Sequence, residues 1–286
     1  MLRVFLNIFF LPIAHLPLPI LKYFALLLGN ILRWPLRYRT NIVKENLQNA
    51  FPELSHEELQ NIQKQYYIHL GFLMLEVLLA QFFPIKTIEK AISFDKEEFV
   101  KTMKNLAKNQ GSVICLMGHT GNWELLAQSF PLLNVSKGIV VYKELRNKNV
   151  ELFLNKSRSR LGNILVEIKM AARHIAKNKQ ENHLYFLLND QSPTGNAIKW
   201  IPFLNQDTAF FKTPEKMANV LSIPVFYAHC YRIDFMKFSV QITPIPSNEN
   251  LTQQFANLLE KDIKKQKFNW LWSHKRWKIK RNEQKI

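Results

Sequence analysis

Residues 112–130 read Ser-Val-Ile-Cys-Leu-Met-Gly-His-Thr-Gly-Asn-Trp-Glu-Leu-Leu-Ala-Gln-Ser-Phe. The first six follow Gly111 and are almost all apolar, which is typical of a short buried strand. Residues 123–130 have helical spacing and are closed by Pro131. A Gly-His-Thr-Gly-Asn turn joins the two segments. This strand, turn and helix predict one unit of an α/β fold.

The same alternation continues on both sides of this unit. Ser55 and Glu58 match a capping box, which predicts a long helix that Pro84 ends. The other predicted helices cover residues 41–50, 149–161, 171–179, 213–221 and 252–266, and the other predicted strands cover residues 138–142, 164–168, 184–188, 224–230 and 238–242. We therefore expect an α/β fold with a central mixed sheet flanked by helices.

The chain is strongly basic. Lys and Arg total 39 against 22 Asp and Glu, which gives a formal charge of +17. An excess of this size favours a polyanionic partner, and both nucleic acid and an anionic membrane surface qualify.

The N-terminal residues favour the membrane. Residues 4–32 contain one Lys or Arg, Lys22, and three prolines interrupt this apolar run. We predict a membrane anchor over residues 1–36, as a kinked span, a shallow hairpin or an interfacial helix pair, and one domain over residues 37–286. A signal peptide is the alternative, but the run has no small-x-small cleavage site. The basic cluster that follows it predicts a body on the cytoplasmic side.

The turn after the first strand carries the candidate chemistry. His119 follows the strand and Glu124 lies in the first turn of the helix, at the edge of the sheet where α/β proteins bind ligands. A carboxylate on one imidazole nitrogen leaves the other nitrogen free to take a proton from an alcohol. We predict His119 as the general base and Glu124 as its partner. The spacing alone is a weak signal, because His229 and Asp234 share it. Those two lie in residues 224–234, which have the composition of a strand, and an odd spacing on a strand turns side chains to opposite faces unless a turn intervenes near Ile233.

Other kinds of site find little support in the sequence. Cys115 and Cys230 lie in apolar strands, so we expect two buried free thiols in a reducing compartment. No Walker A, Gly-x-Gly-x-x-Gly or His-Glu-x-x-His string occurs, so we expect no nucleotide cofactor and no metal.

Gly118-His-Thr-Gly-Asn-Trp-Glu124 resembles the signature of the late acyltransferases of lipid A biosynthesis (lauroyl and myristoyl acyltransferase-like), in the lysophospholipid acyltransferase superfamily. Other motifs match in order along the chain: Tyr38-Arg39, Asn46-Leu47, Phe51-Pro-Glu53, Glu76, Val141-Tyr-Lys143, Arg158-Ser-Arg-Leu-Gly162, Asn189-Asp-Gln-Ser-Pro193, Pro202-Phe-Leu204 and Trp272-Ser-His-Lys-Arg-Trp277. The resemblance is closest to a Bacteroidetes-like branch. One departure is Lys212, where the family often has Gly.

This resemblance implies a glycerol-phosphate acyltransferase-like fold and a reaction. The chain would take a fatty acyl group from an acyl carrier protein thioester and esterify a hydroxyl of an acylated lipid A precursor, an anionic glycolipid. It would work at the cytoplasmic side of the cell inner membrane, as part of lipopolysaccharide biosynthesis. Backbone N–H groups of Gly121 and Asn122 would bind the oxyanion.

Three further residues are predicted to bind substrate. The family's arginine motif maps onto Arg158, whose guanidinium suits a phosphate, with Arg160 as the nearby alternative. Asp190 follows another strand end and is expected to approach His119.

The indoles and cations of residues 270–281 suit a bilayer interface, although single-stranded nucleic acid or a solvated tail would give the same composition.

Three other functions fit the sequence. The first is an acyltransferase for another lipid acceptor, a lysophospholipid or an amino-acid lipid. The second is a basic membrane-surface binding protein without catalysis, and a metal-dependent hydrolase is a more distant alternative. We favour the lipid A reaction, with a membrane surface and no nucleic acid as partner.

Overall fold

A mixed seven-stranded sheet forms the centre of the protein. The structure is a computed structural model that describes residues 10–94, 97, 99, 101–102, 111–134, 136–193, 197–248 and 250–281. The strands are β1 (Ile92–Phe94), β2 (Val113–Met117), β3 (Lys137–Tyr142), β4 (Ile164–Glu167), β5 (His183–Leu188), β6 (Ile198–Phe203), β7 (Gln206–Phe211), β8 (Val225–Asp234) and β9 (Lys237–Ile245). β6 and β7 form a separate two-stranded hairpin.

The strand order places β2 beside β5. The sheet runs β1-β9-β8-β2-β5-β3-β4, and all its neighbours are parallel except β8 and β9. In the register of β2 and β5, Met117 lies opposite Leu188, so the two strands end at the same edge. The residues that follow these two strands therefore meet.

Helices cover the sheet as expected for an α/β fold. They are α1 (Leu18–Arg33), α2 (Thr40–Ala50), α3 (His56–Leu79), α4 (Ile85–Ala91), α5 (Trp123–Ser129), α6 (Lys148–Ser159), α7 (Ile168–Lys177), α8 (Thr213–Leu221) and α9 (Leu251–Lys265). The predicted capping box is confirmed, because the Ser55 side chain accepts from the Glu58 N–H and the Glu58 side chain accepts from the Ser55 N–H.

The sequence misplaced or missed a few elements. α3 ends at Leu79 rather than at Pro84, which instead is the N-cap of α4. The β6–β7 hairpin escaped prediction because its turn lacks the usual glycine. Leu204 and Asn205 both have positive φ, 51° and 60°, and leucine rarely adopts that conformation.

The N-terminal segment packs on the body through α1. A Cβ at Gly71 would lie 2.3 Å from the Ala25 carbonyl oxygen, so α1 and α3 approach too closely there for any other residue. The opposite face of α1 is exposed and apolar, through Leu18, Ile20, Tyr23, Phe24, Leu27 and Ile31. Within the described ranges, no helix has the length and hydropathy to cross a membrane, and residues 1–9 of the predicted anchor lie outside those ranges.

Candidate active site

His119 and Asp190 meet where β2 and β5 end. The imidazole Nδ1 lies 2.5 Å from Asp190 Oδ1, and the His119 backbone N–H donates to Asp190 Oδ2 at 2.7 Å. Both residues are buried, His119 with 8% and Asp190 with 2% of its surface exposed. The carboxylate thus holds both the ring and the backbone of His119, and the predicted approach of Asp190 to His119 is confirmed.

Asp190 is kept ionised by its neighbours. Trp270 donates its Nε1–H to Asp190 Oδ2 at 2.7 Å. Burial alone raises the pKa of Asp190, but the charge and hydrogen bonds of His119 and the Trp270 bond outweigh it and lower the pKa to about 2. Because an ionised Asp190 can only accept a hydrogen bond, the imidazole proton lies on Nδ1 and the imidazole lone pair lies on Nε2.

Nε2 of His119 faces a polar side chain and an indole. Gln191 Nε2 lies 2.9 Å from it, and the Trp123 ring packs edge-on against the imidazole with centroids 4.7 Å apart. Gln191 is half-buried. A base with a fixed tautomer and its lone pair on Nε2 can take a proton from a hydroxyl that reaches this nitrogen.

The structure corrects the predicted pairing of Glu124 with His119. Arg158 on α6 binds the Glu124 carboxylate through two bonds, Nε to Oε2 at 2.8 Å and Nη2 to Oε1 at 2.5 Å. The physical reason is that α5 turns Glu124 toward α6, whereas the end of β5 brings Asp190 directly beside the imidazole. Asp190 thus makes the orienting contact that was predicted for Glu124, and a catalytic role of Glu124 stays a prediction.

The two predicted arginines make internal contacts. The remaining Nη1 of Arg158 donates to Asn155 Oδ1 at 3.2 Å, so all three of its nitrogens have partners within the protein. Arg160 Nη1 donates to the Ala80 carbonyl at 3.0 Å. The structure thus shows Arg158 in a bidentate ion pair with Glu124, and its predicted phosphate binding stays a prediction. Phosphate binding by Arg160 stays a prediction.

The predicted oxyanion donors at the start of α5 are also occupied. The Gly121 N–H donates to Asn269, whose side-chain and backbone oxygens both lie at 3.1 Å, and the Asn122 N–H bonds the Cys230 thiol. Gly121 has φ +59°, and a Cβ there would lie 2.5 Å from Cys230 Sγ. The turn is thus packed against β8, which corrects the expectation that these N–H groups face substrate.

A buried network that sequence spacing missed holds this turn. Asn122 accepts from the Leu125 N–H at 2.9 Å as N-cap of α5, and donates to Glu76 Oε2 at 3.0 Å. Arg232 binds the same carboxylate at 2.7 and 2.8 Å. Glu76 is fully buried near the end of α3. A lone acid in an apolar stretch of helix was the available signal, and its partners lie too far along the chain for spacing to find.

A second imidazole–carboxylate cluster lies between α9 and the strands β8 and β9. Asp262 accepts from His229 Nδ1 at 2.9 Å and from two tyrosine hydroxyls, and His229 Nε2 lies 2.8 Å from Thr243 Oγ1. Asp234 instead binds Lys22 at 2.7 Å. The prediction that His229 and Asp234 do not pair is confirmed.

The aromatic C-terminal segment is part of the core. Trp270, Trp272 and Trp277 are buried, and so is Arg276, which donates to the Ala209 carbonyl. The predicted placement of these side chains at a bilayer interface is therefore wrong, because the indoles pack against the body and against one another. Both cysteines are buried free thiols, as predicted.

Comparison with known proteins gives a consistent picture. A sequence model described as bacterial lipid A biosynthesis acyltransferase matches residues 1–279. The chain is 23% identical over 274 residues to the lipid A biosynthesis palmitoleoyltransferase of Escherichia coli (strain K12), covering 93% of this chain and 88% of that protein. It is also 23% identical to a lipid A biosynthesis acyltransferase of Haemophilus influenzae over 289 residues, covering 95% and 88%.

Proposed function

Because this chain belongs to the bacterial lipid A biosynthesis acyltransferase family, we propose that it moves a fatty acyl chain from an acyl carrier protein thioester to a hydroxyl of an acylated lipid A precursor. The observation that carries this proposal is the His119–Asp190 pair at the end of β2 and β5. The pair is a general base with an orienting carboxylate, and no enzyme nucleophile is needed when the acceptor is itself an alcohol.

The two nitrogens of the His119 imidazole have different roles in the proposed reaction. His119 Nε2 takes the proton of the acceptor hydroxyl while the oxygen attacks the thioester carbonyl carbon. The tetrahedral intermediate collapses and the C–S bond breaks. The departing thiolate then takes the proton of the acceptor hydroxyl from Nε2. Asp190 stays ionised throughout and balances the imidazolium, since its pKa is about 2.

Exposed cations near the site suit an anionic acceptor. The Ser192 hydroxyl donates to the Arg276 carbonyl oxygen at 2.6 Å and lies 3.2 Å from that of Lys275. The C-terminal segment therefore lies against the loop that holds His119. Lys275 and Lys278 are exposed on this segment. Cations at this edge would favour a phosphorylated glycolipid over a neutral one.

The exposed face of α1 supports attachment to the cytoplasmic side of the inner membrane. Six large apolar side chains line it, and exposed Arg37 and Arg39 follow the helix. Such a face buries apolar area in the lipid while its cations meet headgroup phosphates. In vesicle flotation with anionic lipid, Leu27→Glu should lower the bound fraction several-fold. Val220→Glu, on the exposed side of α8, should not, and equal flotation of the two variants would contradict this placement.

Mass spectrometry of cellular lipids tests the reaction. In cells that lack the wild-type protein, a copy with His119→Ala should leave a lipid A precursor one acyl chain short, and the wild-type copy should restore it. His56→Ala, at the exposed start of α3, is the matched control and should restore it too. A changed phospholipid or amino-acid lipid would point to another acceptor, and an unchanged lipid profile would contradict acyl transfer.

A further inference from the structure

The side-chain amide of Gln191 covers the catalytic lone pair. Asp190 accepts a hydrogen bond from the protonated Nδ1 of His119, so Nε2 of His119 carries the lone pair. This nitrogen is therefore the acceptor in the 2.9 Å contact with the side-chain amide nitrogen of Gln191. Gln191 therefore donates an N–H to the atom that has to receive the proton of the acceptor hydroxyl. The amide occupies the position of the incoming hydroxyl group.

The reaction also needs a donor for the oxyanion of the tetrahedral intermediate. The backbone N–H groups of Gly121 and Asn122 are bonded to Asn269 and Cys230 and are not available for this purpose. Gln191 follows Asp190 directly and is half-buried at the same strand end as the base. Its amide group has two N–H donors, of which the contact with His119 uses one.

We propose that Gln191 is a catalytic residue that exchanges partners during the reaction: its amide rests on His119 Nε2 and, when the acceptor hydroxyl displaces it, donates to the thioester carbonyl oxygen. This inference rests on the proposed acyl transfer. The carbonyl carbon has to lie next to the hydroxyl oxygen, which itself lies about 2.8 Å from Nε2. An amide within reach of Nε2 therefore reaches the carbonyl oxygen by rotation of its own side chain.

The exchange gives the amide two functions and changes only hydrogen bonds of Gln191, not covalent ones. In the resting site it supplies Nε2 with a hydrogen bond in a buried position, where an unpaired acceptor is costly. In the transition state it stabilises the negative charge that develops on the carbonyl oxygen. The proton still moves from the acceptor hydroxyl to His119 and then to the departing thiolate.

Kinetics of the purified full-length protein test the exchange. Gln191→Met keeps the length of the side chain and removes the N–H donors, and Gln191→Glu keeps the shape and replaces them with a carboxylate. With acyl carrier protein thioester and lipid A precursor, Gln191→Met should lower kcat by about 10²–10³-fold, as loss of one oxyanion donor does. The KM for the acceptor should change little. Gln60→Met, on the exposed start of α3, should match the wild type.

Two further measurements separate a catalytic role from a structural one. Gln191→Glu should move the acidic limb of the pH–rate profile to higher pH, because a carboxylate beside Nε2 favours the imidazolium. The ¹⁵N resonance of His119 Nε2 should shift between wild type and Gln191→Met in the absence of substrate. An unshifted resonance overturns the resting contact, and a Gln191→Met kcat within twofold of wild type overturns the oxyanion role. If the wild-type protein transfers no acyl chain, the proposed function fails and this inference fails with it.

Discussion

Trp270 donates its indole N–H to the carboxylate of Asp190, the residue that holds His119. The donor and acceptor lie 2.7 Å apart across 80 positions of the chain. The oxygen that Trp270 binds, Oδ2, also accepts the His119 backbone N–H. Through Trp270 the C-terminal segment therefore helps to fix Asp190, which holds the proposed base His119.

Trp270→Phe should impair both stability and catalysis. The variant keeps an aromatic ring in the core and removes one hydrogen bond to a charged group, which contributes about 1.5–3 kcal/mol. We expect a lower urea midpoint and a kcat reduced by about tenfold or more, since Asp190 loses one of its restraints. Trp277→Phe is the matched control. The Trp277 indole donates to Thr208 Oγ1 at 2.8 Å, away from Asp190, so this variant should be less stable but keep the wild-type kcat. Equal kcat values in the two variants would contradict the role of Trp270.

Asp190→Asn should remove most of the activity. An amide cannot balance the imidazolium, and we expect kcat to fall by about 10³–10⁴-fold, as in serine hydrolases that lose the equivalent charge. A steady-state assay of purified variants measures this. Activity close to wild type would show that Asp190 is not the partner on which His119 depends.

The same variant should show how Asp190 affects stability at different pH values. The folded-state pKa of about 2 lies below the ordinary value of 3.8, so the ionised group stabilises the fold above pH 3.8. This stabilisation, on the order of 2 kcal/mol, is lost as the pH falls from 3.8 through 2. In urea titrations, the difference in free energy of unfolding between wild type and Asp190→Asn should therefore become smaller as the pH is lowered across that interval. A gap that widens would contradict the lowered pKa.

Glu124 and Arg158 should behave as a coupled pair. Their side chains are 18% and 14% exposed, and removal of either one leaves a poorly solvated charge. We expect Glu124→Ala and Arg158→Ala each to cost about 1–3 kcal/mol, and the double variant to cost less than their sum. Arg158→Lys should not restore stability, because an ammonium cannot replace the bidentate fork. The exposed pair Lys148–Glu144 is the control and should show no measurable coupling.

His69 should make the fold sensitive to mild acid. Its Nδ1 accepts from Arg232 Nε at 2.8 Å, and burial together with the Arg232 charge lowers the pKa of His69 well below 6.5. Below pH 6.5 the imidazole of His69 binds a proton in the unfolded chain but not in the folded chain. Stability should therefore fall by up to about 1.4 kcal/mol per pH unit below 6.5.

His69→Gln isolates this effect, because the glutamine oxygen still accepts from Arg232 and does not titrate. Urea midpoints at pH 7 and pH 5 should differ less in His69→Gln than in the wild type. His56→Gln, at an exposed position, should keep the wild-type difference. The same pH dependence in both variants would exclude His69 as the source.

Local patterns were enough to predict most elements of the fold. Predicted α2 and α8 agree with the structure within one residue, and the Ser55 capping box is present as expected. The same patterns identified His119 as the residue after a buried strand. Each of these features depends on neighbours along the chain, so a single sequence contains the information.

The partners of His119 and Glu124 could not be read in this way. Asp190 reaches His119 only because β2 pairs with β5 in one register, and the two residues lie 71 positions apart. Arg158 reaches Glu124 across 34 positions, through the packing of α6 beside α5. Composition misled at the C-terminal segment too, since a mixture of indoles and cations does not reveal that Trp272 is fully buried.

The dependence of Asp190 on Trp270 has a consequence for synthesis of the protein. A nascent chain contains His119 and Asp190 long before the indole at position 270 emerges from the ribosome. Until then the carboxylate lacks one of its restraints, and a product that terminates early keeps the signature motif with an incompletely held base. The proposed site is therefore complete only once the segment around residue 270 has been synthesised and packed beside Asp190.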